Sequence, residues 1–314
     1  MKSLKNNTIR IYIGFFVFLI AGWPVLKGQQ QPLYSQYTFE PTVINPAFAG
    51  KEDNLSVSFL TRQQWLGMEG APKNYILTGH QPFTENTALG GLFYSDIIGP
   101  KSQVGFYGIY SYTIELEEGV LSMALQAGGV YHSSNFNSLN IYDETGASVE
   151  DPVFIGNEVS KFLPNFGTGF LYEYNNLFAG LSVPRLFNNN LDEKGGISES
   201  KERQHYFLYT GINASLGEGV VLRPTLLYKK VRGTGAQYDI NLSALLLERL
   251  WAGVTYRTSG TMSGMLDVYL SDKLSFGYAV DFGVSGKARN VETGTHELRL
   301  KFLFGKIGRD ENRR

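Results

Sequence analysis

The chain has 314 residues, a formal net charge of −1 and no cysteine. Disulfide and thiol chemistry are excluded, and a near-neutral balance argues against nucleic acid as a partner. A mean hydropathy of −0.15 would suit a soluble globule, but 36 glycines, 19 tyrosines and 21 phenylalanines with few long apolar runs point to an all-β chain.

Residues 1–28, "MKSLKNNTIRIYIGFFVFLIAGWPVLKG", place Lys2, Lys5 and Arg10 ahead of an apolar run from Ile11 to about Ala21. This is the layout of a secretory signal peptide, and Gly22 and Pro24 break the run too early for a comfortable span. Cleavage near Gly28 would export the mature chain. Residues 29–53 come next, beginning "QQQPLYSQYTFEPTVINPAFAG", polar and aromatic with neither helical nor strand period.

From residue 54 the pattern changes. In "VGFYGIYSYTIEL" one parity carries Val104, Phe106, Tyr110, Tyr112, Ile114 and Leu116, and the other Gly105, Ser111, Thr113 and Glu115. "LSFGYAVDFGV" and "HELRLKFLF" alternate in the same way. Alternation over about ten residues predicts strands with one apolar and one polar face, long enough to cross a bilayer when tilted. About fourteen such segments are expected: 54–65, 73–83, 88–98, 102–116, 119–134, 164–175, 177–187, 204–217, 220–232, 236–248, 250–259, 262–271, 274–285 and 296–305. A polar tail, 306–314, follows.

Every second connection is mostly tight ("ENTA", "EEG", "NN", "GEG", "ER", "SDK"), whereas the others are generally longer, as in 135–163 and "NNNLDEKGGISESKER". The expected fold is therefore all-β: an antiparallel transmembrane β-barrel of about 14 strands in the outer membrane, with both termini periplasmic. Tyr110, Tyr112, Tyr172, Tyr174, Tyr228, Tyr256 and Tyr269 are candidates for aromatic girdles against outer-membrane lipid. Gly105, Gly277 and Gly283 fall on the lumen parity, where they leave room for large neighbours. Inward charges are expected at Glu115, Asp267, Asp281, Arg299 and Lys301, sparse and mixed in sign.

Catalytic signals are thin. His80, His132, His205 and His296 fall in separate strands without metal spacing. "TGAQYD" and "GTGF" lack the strand–loop–helix context of a phosphate loop, and Ser133-Ser134 beside His132 is no nucleophile elbow. "DETGASVEDP" at 143–152 misses the calcium-loop pattern. No enzyme, cofactor or metal is expected.

The segment after the signal peptide carries a resemblance. "LYSQYTFEPTVINPAFAG" followed by "FLTRQQWLGMEGAPKNYILTGHQPF" resembles the PorP/SprF family of type IX secretion-associated outer-membrane proteins of Bacteroidetes. The matching positions include Gln36, Tyr37, Asn45, Pro46, Ala47 and Gly50, then Arg62, Gln63, Gln64 and Trp65. Glu40-Pro41 replaces the family's usual Asn-Pro, and Thr293-Gly294-Thr295-His296-Glu297 its Ser-Gly-Ser-His-Glu. The resemblance implies a non-enzymatic partner barrel in protein secretion, cell-surface anchoring or gliding motility. It would support the secretion of a large type IX-secreted surface protein such as an adhesin, or hold it at the cell surface. Periplasmic or outer-membrane components of that system are further implied partners.

Fourteen strands would leave a lumen that needs filling. Residues 29–50 are expected to fold back into the periplasmic half as a plug, with Pro41 and Pro46 fixing turns and Arg62 as a partner on the wall. A periplasmic arm that orders against another protein is the alternative. Docking is expected on the long loops, at Phe136, Phe154, Ile155, Asn189, Lys194, Arg232 and Arg289, because surface loops carry recognition on a rigid scaffold. An outer-membrane solute channel is the competing class.

Overall fold

The computed structural model describes residues 34–135, 141–142, 148–149, 158–189, 203–217, 219–233, 235–285 and 294–305. The segments of alternating parity form fourteen antiparallel strands. They are β1 (Leu55–Gln63), β2 (Lys73–Pro82), β3 (Thr87–Ile98), β4 (Lys101–Leu116), β5 (Gly119–Asn135), β6 (Glu158–Tyr174) and β7 (Leu177–Val183). The second half comprises β8 (His205–Ile212), β9 (Val220–Val231), β10 (Ala236–Leu246), β11 (Leu250–Arg257), β12 (Thr261–Tyr269), β13 (Leu274–Gly283) and β14 (Thr295–Phe304). Each strand pairs with its neighbours in sequence. β1 returns to β14 from Leu55↔Phe304 to Gln63↔His296, which closes the barrel.

Parity decides what each side chain meets. On β1, Ser56, Ser58, Leu60 and Arg62 are buried in the lumen, while Phe59 on the other parity is exposed. Phe106, Leu125, Phe166, Phe170, Leu181 and Leu242 are likewise exposed, so the outer surface is apolar and the interior polar. No helix among the described residues is long and apolar enough to cross a membrane; the crossing elements are strands. Six of the seven tyrosines expected in girdles lie on outward positions. Tyr269 does not: it falls on the inward parity at the end of β12 and lines a cleft at the barrel mouth.

Three boundaries differ from expectation: β8, expected over 204–217, ends at Ile212, and Ala214–Ser215 pair with β9 as a separate short piece. β6 begins at Glu158, so residues 158–163, assigned to a loop on the sequence, belong to the wall. Pro164 lies inside this strand, where a proline is tolerated because its missing N–H would face no partner. β7 ends at Val183 rather than near 187, so the wall drops sharply beside β6. The turns at 83–86, 117–118, 175–176 and 270–273 are short and share one end of the barrel with residue 54. The opposite end, reached by the long connections, also carries tight turns at 99–100 and 258–260.

Candidate functional site

The barrel interior is occupied by residues 34–50. Three short 3₁₀ turns, Ser35–Thr38, Pro41–Val43 and Pro46–Phe48, make up the segment. Two begin at a proline, whose fixed φ suits the first position of a helical turn. Turns this brief show no period in sequence, because each is over within one repeat. Asn45 caps the third, its Oδ1 accepting from the Ala47 N–H at 3.0 Å. The segment leaves at Gly50, where φ is +81° and an added Cβ would collide with the Ala88 side chain. The Gly50 N–H donates to His80 Nδ1 at 3.2 Å.

Three anchors hold the segment to the wall. At the first, the Ser35 and Gln36 N–H groups each donate to the Glu297 carboxylate at 2.9 Å. Ser35 Oγ donates to Asp281 at 2.7 Å and lies 3.0 Å from Ser263 Oγ. The Arg62 guanidinium bridges Asp281, at 2.6 Å, and Glu297. Arg257 bonds Asp239 at 2.9 Å and reaches Ser35 Oγ at 3.3 Å. Buried carboxylates are tolerated here because cations and main-chain N–H groups answer them. Two guanidiniums and buried Lys229 face three carboxylates here, and the segment's main-chain and hydroxyl donors fill acceptor positions on Glu297 and Asp281.

The second anchor lies toward the short turns. Arg299 bonds Asp267 at 2.6 Å and Ser275 at 3.0 Å, stands 4.0 Å from Glu40 and sits 5.9 Å above the Phe39 ring. Burial opposes ionisation of Glu40, yet Lys301, His80 and Arg299 around it hold its carboxyl below the ordinary carboxylate range. Glu40 thus takes a charged role that the family's amide would not.

At the third anchor Asn45 fills a slot over two glycines. Its Nδ2 donates to the Phe170 carbonyl at 3.0 Å, and a Cβ on Gly169 or Gly180 would strike its amide. Ser182 Oγ donates to the Ile44 carbonyl at 2.6 Å. Gly277 plays a similar part for the fully buried Gln36, and Gly105 for the ring of Tyr94.

Apolar contacts complete the fit. Tyr34 packs into a cluster with Leu60, Ile76, Leu92 and Tyr107, while Tyr37 and Ile44 pack with Phe207, Tyr209 and Leu227. Tyr37 meets Tyr209 edge to face at 5.5 Å, a favoured aromatic geometry. Burial pushes the Tyr34 and Tyr37 hydroxyls well above their usual pKa, so both stay neutral. A cleft of about 250 Å³ beside Glu40, Trp251 and Tyr269 opens at the short-turn mouth.

The segment is not confined to the short-turn half, as had been expected. Asp281 and Glu297 lie near the opposite ends of β13 and β14, so Ser35 reaches well into the long-loop half. The reason is electrostatic: the carboxylates that accept its N–H groups are there. Arg62 meets the segment through those carboxylates, with Glu297 between them. Gln63, Gln64 and Trp65 sit at the rim, only partly buried, with the Gln64 N–H closing the first long loop onto the Pro72 carbonyl at 3.0 Å.

Asn189 is half-buried and bonds the Pro164 carbonyl, and exposed Arg232 accepts from Arg203 through its carbonyl. Phe136, Phe154, Ile155, Lys194 and Arg289, like residues 1–33 and 306–314, lie outside the described residues. Asp267, Asp281 and Arg299 face the lumen as expected, but Glu115 is exposed at its strand end. Asp239 and Arg257 were missed; the polar parity Gln237, Asp239, Asn241, Ser243 of β10 is the signal that could have found the first. The four histidines stay in separate strands, and no metal-holding cluster occurs among the described residues.

A family model described as type IX secretion system membrane protein PorP/SprF matches residues 26–302. Among solved structures, the chain is similar to the CymD monoaromatic hydrocarbon channel, with 12% identity over 89% of this chain and 95% of that one, at a TM-score of 0.54. It also matches the Ralstonia pickettii toluene transporter TbuX, with 8% identity over 84% and 93% and a TM-score of 0.49. The CymD likeness is one of barrel fold alone. No curated protein matches the chain.

Proposed function

The chain belongs to the PorP/SprF family of type IX secretion system outer-membrane barrels, and from that premise we propose that it is a closed docking barrel. A large secreted surface protein binds its long-loop end, and the barrel supports that protein's secretion or holds it at the cell. The short turns face the periplasm on this reading, as do the system's periplasmic components. The observation that carries it is the filled lumen: Ser35, Gln36, Asn45 and Tyr37 are buried in the wall's own hydrogen bonds and rings. A barrel whose interior is committed to its own chain has its recognition surface on its loops. The site carries no reaction on this reading.

The test is isolation of the native protein in mild detergent and identification by mass spectrometry of what accompanies it. A stoichiometric, type IX-secreted surface protein supports the docking role. A clean barrel that conducts ions supports a solute channel instead.

A further inference from the structure

Strands β4, β5 and β6 run for 16, 17 and 17 residues, but β7 and β8, next in the wall, have only 7 and 8. β6 therefore runs for ten residues, 158–167, beyond its last partner on β7. β5 accompanies β6 out to Asn135↔Glu158, whereas β7 leaves β6 at Thr168. Beyond that point the Leu186 N–H reaches the Phe166 carbonyl at 2.8 Å, and Asn189 Nδ2 the Pro164 carbonyl at 3.1 Å.

Those two carbonyls fix the geometry of what lies further out. Main-chain groups alternate sides along an antiparallel strand, so Phe162 and Ser160 also turn their N–H and C=O away from β5. Among the described residues nothing pairs with them. Pro164, which has no N–H to offer, sits where the ladder stops. A row of mutual partners, Val104↔Tyr131↔Phe162, runs across β4, β5 and β6 on their outer face. Its exposure climbs from 38% through 49% to 61% toward the edge, where the next strand would stand.

We propose that the β6 edge at Ser160 and Phe162 takes up an extended segment of the docked surface protein as an added strand. This rests on the docking reading above and assigns that interface a place. Alternating N–H and C=O groups are matched by another main chain, and alternate side chains give selectivity; here an apolar side chain of the partner extends the Val104–Tyr131–Phe162 row. A second copy is the poorer occupant. Two-fold pairing about Ser160 would set Glu158 opposite Phe162 and Lys161 opposite Val159, a charged residue facing an apolar one in each pair.

The experiment places the photo-crosslinker p-benzoylphenylalanine at Phe162 and, separately, at the rim residue Asn189, in the full-length protein in its own cells. Crosslinks from 162 to one segment of a secreted surface protein, reduced about tenfold by Ser160→Pro through the lost edge N–H, support the inference. Crosslinks from 162 only to residues 190–202 of the same chain, or to a second copy, overturn it. Crosslinks to a surface protein from 189 but not from 162 overturn the edge and leave the docking reading standing; silence at both positions overturns the two together. If Ser160→Pro fails to assemble, hydrogen exchange at the Ser160 and Phe162 amides in the isolated complex reads the same contact. Slowed exchange supports the added strand, and unchanged exchange overturns it.

Discussion

Removing Arg62 would take from the fully buried Glu297 the one side-chain cation it pairs with among the described residues, while Asp281 keeps Arg257 at 3.7 Å. Breaking a buried pair by deleting one partner costs about 3–5 kcal/mol. Arg62→Met should lower stability in detergent by that amount in denaturant unfolding, and Arg62→Lys should recover part of it, because an ammonium replaces the charge but not the fork. A loss under about 1 kcal/mol would show a weaker anchor than a buried pair provides. Gly169→Ala tests the third anchor. It should displace Asn45 and expose residues 34–50 to protease, while Gly264→Ala, with nothing near its added Cβ, should not. Glu40 has a folded pKa held below its unfolded one, so its stabilisation is present above the unfolded value and fades as pH falls through the folded one. Protease protection of the segment should therefore hold through mild acid and weaken below the ordinary carboxylate range; Glu40→Gln should remove that acid limb.

At the scale of elements, the strands were legible because alternation is imposed by two different solvents on the two faces of one sheet. All fourteen segments emerge near their expected places, and the lumen positions of Asp281, Glu297 and Arg299 follow from parity alone. The internal segment was less legible. Its composition suits a polar lumen, but 3₁₀ turns of three or four residues leave no period. How deep it reaches depends on which strands bring Asp281 and Glu297 together, a matter of register that only closure of the barrel decides. The start of β6 lies six residues before Pro164, in a stretch whose place in the wall depends on how far the strand beside it runs. Since the chain has no cysteine, Ser35→Cys with Ser263→Cys offers a direct check of the segment's depth. Their side-chain oxygens are 3.0 Å apart, so a disulfide should form on oxidation, whereas Ser35→Cys with Ser275→Cys should stay reduced.

The whole molecule is a wall that spends its interior on its own chain. Fourteen strands would otherwise enclose a wide polar lumen, and residues 34–50 convert it into a packed interior with three anchors spread from one half to the other. On the proposed reading, this filling is what distinguishes a docking barrel from a channel built on the same fold. Planar-bilayer conductance of the intact protein, beside a variant lacking residues 34–50, tests that claim most directly. The account predicts a closed intact barrel and ohmic conductance in the deletion variant; steady conductance through the intact protein, unchanged by the deletion, would contradict it.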